Sequence, residues 1–424
     1  MTLSLTRVWR DPFLRKSAIF FTGSLIVAFL NYLYYPVLGR WLSLQDFGEV
    51  QAILAVFTQI TTILSAFSLA TVHASVNCEL GGECEAVVQA LRSAALVVVG
   101  VFFTVLLFSA HSLAVALHFQ GPTVFLALAL LLITTTLFST RQGFLQGQGK
   151  FFAVSRASTI VSGGRILFAV LAIWLGGRAF GAVFGLVTAQ LVALLFVTFL
   201  TRKTWDTKGA ATFVLTRTRR LHELGYVFFI ACSMAYVTAL YNADVLIVKR
   251  YFAPETAGIY SGIATVAKIV FFVTGPFAAV LLSAIKRRDT VEHRRRVFLK
   301  AFLLIASIGG GVTLLFAVAP VFFIKILMGS RYLPYAHLLP ILGLAFYLVC
   351  LTNVNVYLGL ALRRRMLLLL AFLGSVLFSL LALFHHDTLD AIATNMLLTG
   401  IFAFVSTLGL SLWNLRAPSG SPSV

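Results

Sequence analysis

Three ionisable side chains sit where long apolar runs should exclude them: Arg165, Lys268 and Asp244. A charge in the hydrocarbon of a bilayer is costly, so such residues mark either a function or a pairing. Arginine offers phosphate oxygens a forked pair of donors, whereas lysine acts as a point charge. Arg165 and Lys268 therefore suit an anionic group such as a phosphate or pyrophosphate. Asp244 suits a coupling proton or sodium ion, and a salt bridge to one of the cations or to Lys249 is the plainer alternative.

Polar side chains recur near them. Gln51, Thr58, Thr62 and Ser65 follow helical spacing, with Gln59 alongside, and Thr352, Asn353 and Asn355 cluster later. Gln59, Thr62 and Asn353 are candidates to meet sugar hydroxyls. Hydrogen bonding between helices is the ordinary alternative for each. Cys78 and Cys84 have no further ligand at metal spacing, and the eight His form no HExxH pattern. The sequence thus predicts no metal, no cofactor beyond a coupling H+ or Na+, no catalytic set and no enzyme activity.

The elements that must position these residues are set by hydropathy. The chain has 424 residues, of which 60% are hydrophobic and 11% charged, and its mean hydropathy is +0.97. Twelve apolar runs are long enough to span a bilayer: 17–39, 48–72, 91–113, 122–140, 153–175, 179–200, 224–248, 257–284, 297–319, 337–360, 366–384 and 389–413. Gly275-Pro276 predicts a kink in the eighth. Gly177, Gly181 and Gly185 predict close helix packing at the sixth.

Basic residues set the orientation. Of the 33 Lys and Arg, six fall in outside loops (Arg40, Arg178, Lys249, Arg250, Lys325 and Arg331), two (Arg165 and Lys268) lie deep within spans, and 25 lie on the side of the N-terminus, three of them (Arg92, Arg156 and Lys300) just inside a span's end. Both termini are therefore expected in the cytoplasm of a multi-pass protein of the inner (plasma) membrane. The net charge of +19 reads as topology and contact with lipid headgroups rather than nucleic-acid binding. The expected layout is a cytoplasmic N-terminal segment (1–16), able to form a short interfacial helix, and a six-helix bundle (17–200). A basic cytoplasmic linker (201–223), a second six-helix bundle (224–413) and a disordered tail (414–424) follow.

The halves echo each other. "GRWLSLQDFGEV" (39–50) follows the first span, and "KRYFAPETAGIY" (249–260) follows the seventh. Six spans return a chain to its starting side, so the halves are parallel repeats related by an axis along the membrane normal. This predicts an all-α membrane protein of two pseudo-twofold-related bundles around a central cavity. Arg40, Trp41, Arg250 and Tyr251 read as interfacial anchors at the outer face, or as contacts for a leaving substrate.

The stretches "GSLIVAFLNYLYYPVLGRWLSLQDFGEVQA" and "YNADVLIVKRYFAPETAGIYSGIATVAKIV" resemble the polysaccharide-biosynthesis flippases. These form the O-antigen and exopolysaccharide branch of the multidrug/oligosaccharidyl-lipid/polysaccharide (MOP) exporter superfamily, whose fold is MATE-like. The resemblance implies translocation of an undecaprenyl-pyrophosphate-linked oligosaccharide, for surface polysaccharide such as lipopolysaccharide O-antigen, from the cytoplasmic to the outer leaflet by alternating access. It also implies polymerase and glycosyltransferase partners, with Arg165 and Lys268 as cavity cations. A proton- or sodium-coupled exporter of small molecules is the alternative, and a non-transporting scaffold is a third. The first span carries no acid or base, unlike drug extruders and lipid II flippases of the superfamily, and Asn31 is its central polar group.

Overall fold

The computed structural model describes residues 12–76, 82–202, 217–274, 290–362 and 365–415. Among these residues every regular element is a helix. The backbone explains why: in lipid each N–H and C=O needs a partner within its own segment.

In chain order the helices are α1 (Pro12–Trp41), α2 (Leu44–Val76), α3 (Gly82–Ala116), α4 (Thr123–Gly147), α5 (Phe151–Trp174), α6 (Arg178–Thr201) and α7 (Arg217–Tyr251). They continue as α8 (Pro254–Ala267), α9 (Val291–Val318), α10 (Pro320–Leu327), a 3-10 turn (Ser330–Tyr335), α11 (Leu338–Leu362), α12 (Arg365–Phe384) and α13 (Leu389–Asn414). Among the described residues nine helices are long and apolar enough to cross a membrane. The other three expected spans coincide with α1, α7 and α12. Phe108 is 82% exposed and Leu303 is 64% exposed, an arrangement that suits lipid rather than water.

Local chemistry starts the helices where the sequence places turns. Ser43 caps α2: its Oγ accepts from the Asp46 N–H at 3.0 Å and donates to Asp46 Oδ2 at 2.7 Å. Pro254 opens α8, where its missing N–H costs nothing. Thr388 caps α13 by accepting from the Ala391 N–H at 3.1 Å.

By contact the chain falls into two compact units. The first holds Met1–Leu42 and Val56–Cys232; the second holds Ser43–Ala55 and Ser233–Val424. The opening turns of α2 thus belong with the second unit. In the first unit α1 packs on α5, α5 on α6, α4 on α6, and α3 on α4. The glycines of α6 permit its approach to α5, as their spacing predicts. A Cβ on Gly181 would stand 3.2 Å from the Ala172 carbonyl oxygen, and one on Gly185 would stand 2.6 Å from Ala169 Cα.

In the second unit α11 packs on α13, α9 and α8, and α12 packs on α13. Asn355 Nδ2 donates to Thr407 Oγ1 at 3.1 Å, tying α11 to α13. The twin turns meet here: a Cβ on Gly48 would stand 3.1 Å from Gly258 Cα, and one on Gly258 would strike the Leu44 carbonyl.

Two features differ from expectation. The segment between α9 and α11, expected as an outer loop, is folded as α10 and the 3-10 turn, with Gly329 at φ 102° between them. Tyr332 is fully buried there, against the bare face of Gly262 and edge-on to Phe47 at 5.9 Å. The second is a break in the eighth span, which turns at Lys268 before resuming to Thr274. The Phe271 N–H reaches back to the Lys268 carbonyl at 3.0 Å, a tightening of the helix at that point. The expected kink at Gly275-Pro276 lies outside the described residues, as do most of the N-terminal segment, much of the linker and the tail.

Candidate functional site

In the first unit the site is built on α1 and α5. Arg165 is half-buried on α5. Its Nη1 donates to Asn31 Oδ1 of α1 at 2.9 Å. Its guanidinium carbon lies 4.0 Å from the centre of the Tyr34 ring and 5.7 Å from that of Tyr35. Tyr34 is itself fixed, fully buried, with its hydroxyl donating to the Ala182 carbonyl at 3.3 Å. The ring face supplies electrostatic attraction worth about 2 kcal/mol when desolvated.

Neither partner carries a negative charge. Among the described residues no carboxylate forms an ion pair with Arg165, and its Nε is buried without a hydrogen-bond acceptor. The guanidinium is held by one edge and one face, and among these residues nothing compensates its charge. Its remaining N–H donors are chemically able to bond an anion's oxygens.

In the second unit Lys268 sits at the break in its span, 6% exposed. Its Nζ lies 3.6 Å from Asp244 Oδ1, 4.6 Å from the centre of the Tyr241 ring and 5.2 Å from that of Phe346. Asp244 is fully buried on α7. The Tyr260 hydroxyl donates to its Oδ2 at 3.3 Å. Lys268 and Asp244 therefore answer each other's charge.

The remaining candidates divide in the same way. Gln59 and Thr62 lie half-buried on the part of α2 in the first unit. The Thr62 hydroxyl donates to the Thr58 carbonyl one turn back, at 2.8 Å, a backbone contact that needs no ligand. Asn353 is half-buried on α11 of the second unit. Arg40 and Arg250 are exposed. Trp41 is 55% exposed and Tyr251 is 45% exposed, and the Tyr251 ring lies 4.0 Å from that of His386.

Sequence reasoning missed a second buried polar group in the second unit. Glu49 and Lys249 are each 1% exposed, and Asp46 is 7% exposed. The strongest charge acting on Lys249 is Glu49, followed by Asp46. Gln51 Nε2 donates to Thr265 Oγ1 at 3.0 Å. The signal was present in the twin turns, since the acids open α2 and Lys249 closes α7 beside the sister turn. Counting Lys249 as a loop cation hid it.

This is a helical membrane protein with a charge held inside a span of each unit. The sequence profile of the family described as polysaccharide biosynthesis protein matches residues 13–287, well over half the chain, and the chain belongs to that family. No curated protein sequence matches it.

Solved structures share the fold. One is described as the lipid II flippase MurJ in an inward closed conformation, with a TM-score of 0.72 at 15% identity, covering 93% of this chain and 87% of that one. Another is an inward-facing multidrug resistance MATE family transporter of the MOP superfamily, with a TM-score of 0.70 at 16% identity, covering 94% and 100%. A third is the MATE multidrug transporter DinF-BH, with a TM-score of 0.70 at 13% identity, covering 97% and 96%. The chain is thus a multi-pass protein of MATE-like fold.

Proposed function

We propose that the protein is a flippase that carries a lipid-linked oligosaccharide, of the undecaprenyl-pyrophosphate type, from the cytoplasmic to the outer leaflet of the inner membrane by alternating access. The observation that carries this reading is the guanidinium of Arg165, whose charge nothing among the described residues compensates. A pyrophosphate would accept from its remaining donors, while Asn31 and Tyr34 hold the group in place. Family membership supports the substrate class, and the likeness to a structure described as a lipid II flippase is consistent with the mode of action. Both termini would then face the cytoplasm, as the distribution of basic residues requires.

Asp244 and Lys268 supply the coupling element in this reading. A buried carboxylate whose ion pair stands at 3.6 Å is able to take a proton or a sodium ion when the lysine moves away. The buried pair would then exist in two charge states, which is the minimum needed to bias a two-state carrier.

The test is Arg165→Gln in cells that make the surface glycan. The expected outcome is lipid-linked oligosaccharide trapped on the cytoplasmic leaflet while the protein remains at its normal level. Arg165→Lys, which keeps charge and loses the fork, should retain part of the flux. Normal surface glycan in Arg165→Gln cells would remove Arg165 from the mechanism. Export of a cationic dye by the purified protein would instead favour a small-molecule exporter.

A further inference from the structure

A buried arginine with no part in the candidate site stands in the first turns of α9. Arg294 is 6% exposed. One turn further on, Phe298 is fully buried against Leu362, at the end of α11, and Leu415, at the end of α13. Residues four apart share a helix face, so Arg294 continues that packed face towards the N-terminus of α9. Long helical side chains lean back over the preceding turn, which carries the Arg294 guanidinium over the opening of the helix.

The side chain is not satisfied there. Its Nε and Nη2 are both buried with no hydrogen-bond acceptor, and among the described residues no carboxylate forms an ion pair with it. These two atoms make up one edge of the guanidinium, able to donate two parallel bonds to a single oxyanion. The carbonyl ends of α11 and α13 lie on the same side of the unit, yet neither provides an acceptor for that edge. A buried charged donor without an acceptor is costly.

The helix end has the same preference. Thr290 caps α9 by accepting from the His293 N–H at 3.3 Å, which answers one of the first-turn N–H groups and leaves the positive end of the helix dipole. Glu292 is the acid of this turn. It is exposed, and it accepts from Arg296 Nη2 at 3.1 Å on the outer face of the helix. The sequence from 286 to 300 carries seven Lys and Arg against two acids, a balance that draws anions to this end.

We infer that the Nε–Nη2 edge of Arg294 and the N-terminus of α9 together bind a phosphate group. Entry requires Arg294 to turn its covered edge towards the helix opening, a change of rotamer within one turn. The same chemistry serves the phosphodiester of an anionic lipid and a soluble phosphate ion. Placing this end of α9 on the cytoplasmic side rests on the proposed topology, whereas the site itself does not depend on what Arg165 binds.

Thermal unfolding of the full-length protein in neutral detergent tests this, in the native form and in Arg165→Gln. The probes are phosphatidylglycerol and inorganic phosphate, with diacylglycerol as the lipid that lacks phosphate. At least one phosphate probe should stabilise both proteins, and that probe names the source. Arg294→Lys keeps the charge without the fork and should weaken the apparent Kd by about tenfold or more. Glu292→Gln removes an acid beside the helix end and should tighten it by about twofold or more. With no probe, Arg294→Met should unfold at or above the native temperature, because it removes buried donors that lack acceptors. Stabilisation that is absent, matched by diacylglycerol, or equal in native and Arg294→Lys proteins would overturn the inference. So would an Arg294→Met protein that is less stable without any probe, which would make Arg294 a structural contact. Stabilisation lost in Arg165→Gln would assign the phosphate to Arg165 instead.

Discussion

The two cations inside spans, Arg165 and Lys268, meet their surroundings in opposite ways. Lys268 faces a carboxylate at 3.6 Å and two aromatic rings. Arg165 has a neutral amide at 2.9 Å and a ring at 4.0 Å. The first arrangement neutralises a charge, whereas the second only orients one. A buried ion pair contributes little net stability but is costly to break on one side. An oriented guanidinium whose charge nothing among the described residues compensates contributes less to the fold.

Substitution can break this contrast. Lys268→Met leaves Asp244 buried without its cation and should lose about 3–5 kcal/mol of stability, measured as the unfolding midpoint of the detergent-solubilised protein. The double variant Asp244→Asn with Lys268→Met should recover most of that loss. A single variant as stable as native would show that the pair is not coupled in the way its geometry implies. Gly258→Ala should come next, at about 1–3 kcal/mol, because its new methyl meets the Leu44 carbonyl. Gly100→Ala, with nothing within 4 Å of its Cβ, is the control and should be neutral or slightly stabilising.

Smaller effects sharpen the other side of the comparison. Tyr34→Leu removes the ring beneath Arg165 and should cost about 2 kcal/mol, with a further loss of flux. Arg165→Gln should change stability least, by less than about 1 kcal/mol, and yet abolish translocation. A large stability loss in Arg165→Gln would erase the distinction between the two cations.

The spans were legible because hydropathy is local. Eleven of the twelve apolar runs coincide with α1 to α7, α9 and α11 to α13, the eighth is described as far as Thr274, and the glycines of α6 pack as their spacing requires. Partnerships were not legible, because they depend on which helices face each other. The sequence shows Asn31 as the central amide of the first span, but only packing of α1 on α5 makes it the acceptor for Arg165. Lys268 and Asp244 sit 24 positions apart, and nothing in that spacing excludes their remaining separate. The break at Lys268 was also invisible, since the residue has no helix-breaking chemistry of its own. Thr62 looked like part of a polar lining, yet its hydroxyl is satisfied one turn back, as threonines in membrane helices often are.

The folded segment between α9 and α11 has a practical consequence for anyone tracing this protein's topology. A hydropathy plot marks residues 320–336 as an outer loop, the usual place to insert an epitope or a reporter enzyme. With Tyr332 seated on Gly262, an insertion beside Gly329 would lift that plug and report on a damaged molecule. The short connection at His386-Asp387, between α12 and α13, is exposed at Asp387 and would carry a tag with far less disturbance.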